Sequence, residues 1–198
     1  MTKIKVAITG NIGSGKSTFT EYLSSKGYPV IDADSISKGL LTSDKIIIQK
    51  VIKQFGEKAY RNGKVNKKYL AETVFTDQSR LKALNSILHP QVLKKIDNLV
   101  KNEFINEKIV FIESALIYEA EIEKNFDYVV LVTSEFNKRL KRMVETWKIS
   151  KEDFVQRDNN QIPEKEKEKR ADYIFSNNGD KKDLIKKADL LLLTLKAL

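Results

Sequence analysis

The chain has 198 residues, of which 41% are apolar, and this suits one α/β domain with insertions and a substantial core. It contains no cysteine, which excludes disulfide bonds and thiolate metal sites. The net charge of +9 is typical of proteins that bind nucleic acid or small polyanions, and no apolar run is long enough to cross a bilayer.

The basic residues are spread along the chain and alternate with glutamates, as in EKEKEK at residues 164–169. This alternation favours a solvated helix face over a stripe that follows a phosphate backbone. We therefore expect small polyanionic ligands, no nucleic acid and no membrane. Because the chain begins with a predicted strand and shows no leader, we expect a cytoplasmic protein.

A glycine-rich segment lies between the first predicted strand, residues 4–9, and the first predicted helix, residues 16–25, which ends before Gly27. It fits the pattern G-x-x-x-x-G-K-[ST], in which backbone N–H groups and a helix N-terminus face phosphate oxygens. In this pattern Lys16 reaches the outer phosphates and the Ser17 hydroxyl binds Mg²⁺. The predicted nucleoside triphosphate site consists of Gly10, Asn11, Ile12, Gly13, Ser14, Gly15, Lys16, Ser17 and Thr18.

A short second strand is predicted at residues 28–32; it ends in Asp32, and Asp34 lies two residues further on. Ligands bind beyond the carboxyl ends of parallel strands, so we expect both aspartates to lie near the phosphate loop. A carboxylate there can order Mg²⁺ or accept the proton of an attacking hydroxyl. Either aspartate alone also fits the N-cap of the next helix.

Residues 35–107 carry apolar residues at helical spacing and show no evident strand, with a turn at Asn62-Gly63. The stretches 81–88 and 92–100 predict successive helices. His89, the only histidine, precedes Pro90 between them, and taken alone this position favours a helix boundary. Insertions of this size at strand ends often carry substrate specificity.

Further strands are predicted at residues 108–113, which end in Glu113, at 128–133 and at 172–175, before a last helix from Lys181. Ser134 is a candidate cap for the helix that follows the fourth strand. The run from 145 to 170 is polar with few apolar residues, so we expect either a mobile basic lid or an ordinary surface helical hairpin.

The guanine-reading N-K-x-D pattern is missing after the fourth strand, and no D-x-x-G switch follows the third. A phosphate loop with a helical insertion and a basic lid is the plan of a small-molecule kinase. Another nucleoside or nucleotide kinase of the same fold remains an alternative, as does a nucleotide-dependent nucleic-acid-binding protein.

The chain resembles the dephospho-coenzyme A kinase family over nearly its whole length. The resemblance rests on the order and spacing of residues 8–18, 30–34, 84–85, 89–90, Arg157 with Gln161, 171–174 and 177–179. It implies an α/β P-loop kinase fold with a five-stranded parallel sheet, a helical substrate domain and a lid. It also implies ATP- and Mg²⁺-dependent phosphorylation of the ribose 3′-hydroxyl of dephospho-coenzyme A by a monomer or small homo-oligomer.

The resemblance also implies roles for individual regions and residues. The nucleotide-binding core covers 1–34, 108–140 and 171–198, the substrate insertion 35–107 and the lid region 141–170. Asp34 is then the general base, and Arg142 and Arg157 contact phosphates beside Lys16. The substrate site comprises Asp32, Asp34, His89 and Glu113, and Asp32 is also a candidate for ordering Mg²⁺.

The chain departs from the family pattern in three places. Asn11 stands where the family usually has glycine, Ser114-Ala115-Leu116 replaces a Pro-Leu-Leu segment, and Thr146 replaces a lid arginine. We therefore expect the remaining arginines to neutralise more of the phosphate charge.

Overall fold

The structure is a computed structural model that describes residues 2–75 and 77–197. The chain forms two compact units, one from residues 1–32 with 100–198 and the other from residues 33–99. The strands are β1 (Ile4–Thr9), β2 (Val30–Asp32), β3 (Tyr60–Arg61), β4 (Lys64–Val65), β5 (Ile109–Glu113), β6 (Tyr128–Thr133) and β7 (Tyr173–Ser176). The α-helices are α1 (Lys16–Ser25), α2 (Ala33–Ser43), α3 (Lys45–Phe55), α4 (Lys67–Phe75), α5 (Gln78–Glu103), α6 (Phe136–Glu145), α7 (Lys151–Asn159), α8 (Glu164–Glu168) and α9 (Lys181–Lys196).

The first unit is built on a five-stranded parallel sheet with the strand order β2-β5-β1-β6-β7. This confirms the predicted sheet. The central strands are apolar along almost their whole length because both faces of a parallel sheet are covered. Along β1, Val6 and Ile8 belong to one core cluster and Ala7 to another, as the alternation of side chains in a strand requires.

Helices α1 and α9 cover one face of this sheet and share its larger core cluster. The rings of Phe19 on α1 and Phe175 on β7 stack with their centroids 5.6 Å apart. The other face packs against Ile117 and Tyr118, both fully buried, from the segment after β5. Both faces of the sheet are therefore covered, and its carboxyl edge carries the loops that follow the strands.

In the second unit, α3 begins at an Asp44 cap whose carboxylate accepts from the N–H groups of Ile46 and Ile47 at 2.9 and 3.0 Å. Strands β3 and β4 pair as an antiparallel hairpin. Asn62 and Gly63 both have positive φ, 51° and 71°, as a two-residue hairpin turn of the mirror-image type needs. The predicted turn is confirmed, but the prediction of an insertion without strands is wrong.

Helix α5 runs without interruption from Gln78 to Glu103, with Pro90 inside it. A proline removes one helical hydrogen bond, but here the apolar pattern keeps its spacing of four residues through Pro90, so one buried face continues across it. The buried residues on that face are Leu84, Leu88, Val92, Ile96 and Val100. The interpretation of His89 as a helix boundary is therefore wrong.

The predicted cap at Ser134 is also wrong. Glu135 occupies the N-cap position of α6 and makes no side-chain cap. The Ser134 hydroxyl donates toward the Asn177 carbonyl at 3.0 Å and the Asn178 side-chain oxygen at 3.1 Å, so it binds the loop after β7.

Candidate active site

The phosphate loop runs from Gly10 to Gly15 between β1 and α1 and leaves no room for larger side chains at its two ends. A Cβ added at Gly10 would lie 2.2 Å from the Val132 carbonyl oxygen. One added at Gly15 would lie 2.1 Å from Nδ2 of Asn177, and Gly15 also has a left-handed φ of 103°. The loop is thus enclosed by β6 and by the segment after β7.

Lys16 folds back over this loop. Its Nζ donates to the Gly10 carbonyl at 2.9 Å, and only 9% of the residue is exposed. Lys16 is the first residue of α1, whose first turn contains no acidic side chain. The positive end of the helix dipole and a lysine ammonium therefore lie at the same place, which is the arrangement that binds phosphate.

A group of oxygen ligands lies beside the loop. The Ser17 hydroxyl donates to Oε1 of Glu113 at 3.1 Å, and the Thr20 hydroxyl donates to Oε2 at 2.5 Å. Asp32 is exposed and is the register partner of Glu113 across β2 and β5. Hydroxyl and carboxylate oxygens are the ligands that Mg²⁺ prefers, so these residues fit that ion.

The sheet order refines one prediction. The sequence predicts that the end of β2 lies near the phosphate loop, but β5 lies between β2 and β1. Glu113, at the end of β5, therefore contacts Ser17 directly, and Asp32 is one strand further away.

Arg142 projects from α6 and joins the phosphate loop to the segment after β7. Its guanidinium donates to the Gly13 carbonyl at 3.2 Å, the Ser134 hydroxyl at 3.0 Å and the Asn177 carbonyl at 2.6 Å. Burial lowers the pKa of Arg142, which nevertheless stays charged at neutral pH. Three of its five N–H groups are used in this way.

Arg139, one turn before Arg142, is a site residue that motif reasoning missed. Its Nη1 donates to the Ile12 carbonyl at 3.1 Å, and it forms a buried pair with Asp158 of α7. No local pattern predicts this contact, because Arg139 and Ile12 are 127 residues apart in the chain.

The predicted lid region forms α7 and α8, and part of it contacts the phosphate loop. The Ile12 N–H donates to Oε1 of Gln161 at 2.7 Å. Phe154 and Lys167 are completely buried, so this region has more anchors than its composition indicates. Arg157, on α7, is exposed, and among the described residues no ion pair involves it.

Asp34 and His89 belong to the second unit. Asp34 lies in the first turn of α2, inside the helix and past the N-cap position. His89 lies within α5, where burial lowers the pKa of its imidazole, so the ring is neutral at pH 7.

Comparison with known proteins gives consistent results. The family model described as dephospho-CoA kinase matches residues 4–183. A dephospho-CoA kinase of Fusobacterium nucleatum is 34% identical over 185 residues, covering 93% of this chain and 94% of that protein. One of Thermus thermophilus is 34% identical over 181 residues, covering 91% and 86%.

Solved structures agree with the fold. A Thermus thermophilus protein, TT1252, superposes with a TM-score of 0.84 at 33% identity, covering 98% of this chain and 99% of that one. A dephospho-CoA kinase from Campylobacter jejuni gives a TM-score of 0.70 at 28% identity, with 96% of each chain covered. A shikimate kinase from Acinetobacter baumannii, at 18% identity and a TM-score of 0.56, shares the fold and covers 98% and 96% of the two chains.

Within the described part of the chain, no helix is both long and apolar enough to span a membrane.

Proposed function

This chain belongs to the dephospho-CoA kinase family, and we propose that it transfers the γ-phosphoryl group of ATP to the ribose 3′-hydroxyl of dephospho-coenzyme A. The products are coenzyme A and ADP. The observation that carries the proposal is the phosphate loop with Lys16 at the start of α1, within a chain that matches the family over residues 4–183.

ATP is held by the phosphate loop and the first residues of α1, together Gly10–Thr18, in this proposal. The loop N–H groups and the N-terminus of α1 supply positive partial charges to the phosphates. Lys16 leaves the Gly10 carbonyl for the outer phosphates, where it stabilises the charge that spreads over the transferred group.

Mg²⁺ is the metal that fits the oxygen ligands beside the loop. Ser17 would hold it, with Glu113 and Asp32 as carboxylates that bind the ion or its waters. When bound, Mg²⁺ neutralises phosphate charge. Glu113 otherwise accepts from Ser17 and Thr20, so it keeps the Ser17 hydroxyl oriented at the start of α1.

The acceptor is served by Asp34 and His89 in this proposal. Asp34 orients the 3′-hydroxyl and takes its proton, which it does late because phosphoryl transfer has a loose transition state. His89 contacts dephospho-coenzyme A as a neutral ring, and Arg142 and Arg157 neutralise phosphate charge. We place the enzyme in the cytoplasm, as a monomer or small homo-oligomer.

The test offers the purified protein ATP, Mg²⁺ and a panel of acceptors, namely dephospho-coenzyme A, adenosine, nucleoside monophosphates and shikimate. We expect a clear preference for dephospho-coenzyme A. Lys16→Ala should lower turnover about 10²- to 10³-fold, the usual effect of losing one electrostatic contact to the transition state. Lys26→Ala, which changes an exposed lysine just past the end of α1, is the matched control and should leave turnover unchanged.

Preference for a nucleoside monophosphate would instead identify another kinase of the same fold. Near-normal turnover in Lys16→Ala would contradict the assignment of the phosphate loop.

A further inference from the structure

The backbone N–H and carbonyl of Ile12, in the phosphate loop, are both held by side chains from elsewhere in the chain. Its carbonyl accepts from Nη1 of Arg139 at 3.1 Å, and its N–H donates to Oε1 of Gln161 at 2.7 Å. Gln161 in turn donates through Nε2 to the Ala115 carbonyl at 3.3 Å. The backbone in the first half of the loop is therefore fixed by α6 and by the segment after α7.

Asp158 holds the arginine in place. Its carboxylate accepts from Nη1 and Nη2 of Arg139 at 2.6 and 3.3 Å, and the two side chains are only 6% and 14% exposed. Nε of Arg139 donates to the Ser134 carbonyl at 3.0 Å. A two-point guanidinium–carboxylate contact of this kind fixes orientation as well as distance. Arg139 thus has little freedom to move toward a ligand.

Asn11 adds a weaker link on the same side. Its Nδ2 lies 3.5 Å from Oδ1 of Asp158 and 3.4 Å from the Ile162 carbonyl, both at the outer limit of hydrogen bonding. The residue is 3% exposed. Asn11 thereby connects the loop to the same segment, 158–162, that includes Gln161 and that Arg139 contacts through Asp158.

We propose that Arg139 is a positioning residue for the nucleotide. Together with Asp158 and Gln161, it forms an Ile12 clasp that keeps the loop N–H groups in the geometry that binds phosphate. The clasp contacts the loop through its backbone, so its loss acts on nucleotide affinity rather than on the acceptor. This proposal rests on the proposed function only in assigning the loop to ATP.

The test measures ADP affinity by isothermal titration calorimetry, so it needs no acceptor. Arg139→Lys keeps the charge but cannot reach Ile12 and both Asp158 oxygens together, and Asp158→Asn removes the carboxylate. Each should weaken ADP binding about tenfold, in line with the loss of one charge-assisted hydrogen bond. The double variant should be little weaker than either single variant, because both changes break the same link.

Controls separate this role from a general loss of stability. Asp153→Asn makes the same change at an exposed residue of α7, and it should leave ADP affinity unchanged. Titrations are made well below the melting temperature of every variant, where lower stability alone does not alter affinity. Asn11→Gly removes the weaker link without burying a charge, so it serves if Asp158→Asn does not fold, and it should weaken ADP binding about twofold.

In steady-state assays, the clasp variants should raise KM for ATP and leave KM for the acceptor unchanged. If Arg139→Lys leaves ADP affinity unchanged, or if Asp153→Asn lowers ADP affinity by the same factor, the proposed role of the clasp is wrong. A wild-type protein that binds ADP but ignores dephospho-coenzyme A would overturn the proposed function while leaving the clasp to be judged by the same titrations.

Discussion

Asp32 and Asp34 are two residues apart, but they differ in local structure. Asp32 ends β2, is exposed and is the register partner of Glu113, whereas Asp34 lies in the first turn of α2. Their chemistry should differ accordingly, because Asp32 is paired in register with Glu113, whose carboxylate accepts from the Ser17 hydroxyl of α1. A carboxylate beside these oxygens suits the metal, and the remaining aspartate is then available to the acceptor.

Replacing Asp34 by Asn keeps the shape of the side chain and one acceptor oxygen but removes the basicity. We expect turnover to fall about 10²- to 10⁴-fold, the usual effect of losing a positioned base. ADP affinity should stay nearly the same, because the proposed function assigns Asp34 to the acceptor and not to the nucleotide. Steady-state kinetics and calorimetry on the same preparation measure both quantities.

Asp32→Asn is the matched comparison, since it makes the same change two residues earlier. It should raise the Mg²⁺ concentration required for half-maximal rate and have a smaller effect at saturating Mg²⁺. If Asp34→Asn stays active while Asp32→Asn is inactive, the two roles are reversed. If each change costs only about 1 kcal/mol of stability and little activity, both aspartates serve the helix terminus.

At the scale of elements, the segment from α6 to β7 combines exposed and anchored parts. Residues 144–148 are all exposed, and they include Trp147 at 66%. Further along, Phe154 is buried on α7, and Lys167 on α8 pairs with Glu119 at 2.7 Å. Burial lowers the pKa of Lys167, and Glu119 opposes that shift, so the charged pair holds α8 against the segment after β5.

We expect residues 144–152, which include this exposed stretch, to close when both substrates are bound. Local opening is easiest where few side chains are buried, so amide hydrogen exchange across residues 144–152 should slow in the ternary complex with dephospho-coenzyme A and a non-hydrolysable ATP analogue. Exchange in α8 should change little. Mass spectrometry of peptides from the free and bound protein measures this, with α9 as the internal reference.

Equal exchange of residues 144–152 in the free and ternary states would identify a static surface hairpin.

Long buried strands could be predicted from the sequence, whereas very short strands and the course of α5 through a proline could not. Strands β1, β5 and β6 are continuous apolar runs because both faces of the sheet are covered, and that pattern is visible in any window of the chain. Strands β3 and β4 have two residues each, too few for an alternating pattern. Pro90 indicated a break in α5, but the buried face continues across it.

At the scale of the whole molecule, the candidate site combines residues that are far apart in the sequence. Contacts of this kind cannot be predicted from a local sequence pattern. Lys16 and Ser17 follow from an eight-residue pattern, because their chemistry is local to one loop. Arg139, Asp158 and Gln161 come from other elements, and only the fold brings them to Ile12. Asn11 departs from the family pattern, but the sequence does not predict its contacts with Asp158 and Ile162.

We expect the free energy of unfolding of the chain to fall at alkaline pH because of one buried tyrosine. Tyr118 is fully buried, its hydroxyl has no hydrogen-bond partner among the described residues, and burial raises its pKa to about 12. The folded chain keeps this proton to higher pH than the unfolded chain, whose tyrosine titrates near 10. Stability therefore falls as the pH rises from about 10 to 12.

Tyr118→Phe removes this titration, so the variant should lose less stability than the wild type over that range. At neutral pH it should be neutral or stabilising by about 1 kcal/mol, because a buried hydroxyl without a partner is costly. Urea denaturation at a series of pH values measures both effects. Parallel pH curves for the two proteins would show that Tyr118 does not titrate differently in the folded state.

The contacts around the phosphate loop also bear on how the chain tolerates change over evolutionary time. Gly10 and Gly15 are enclosed by the Val132 carbonyl and the Asn177 amide, which are parts of the fold and not of any ligand. A descendant that lost catalysis but kept the fold would therefore keep both glycines, while Lys16 and Ser17 would be free to drift. In such pseudoenzymes the two glycines would indicate common ancestry, and only the lysine and the serine would indicate activity.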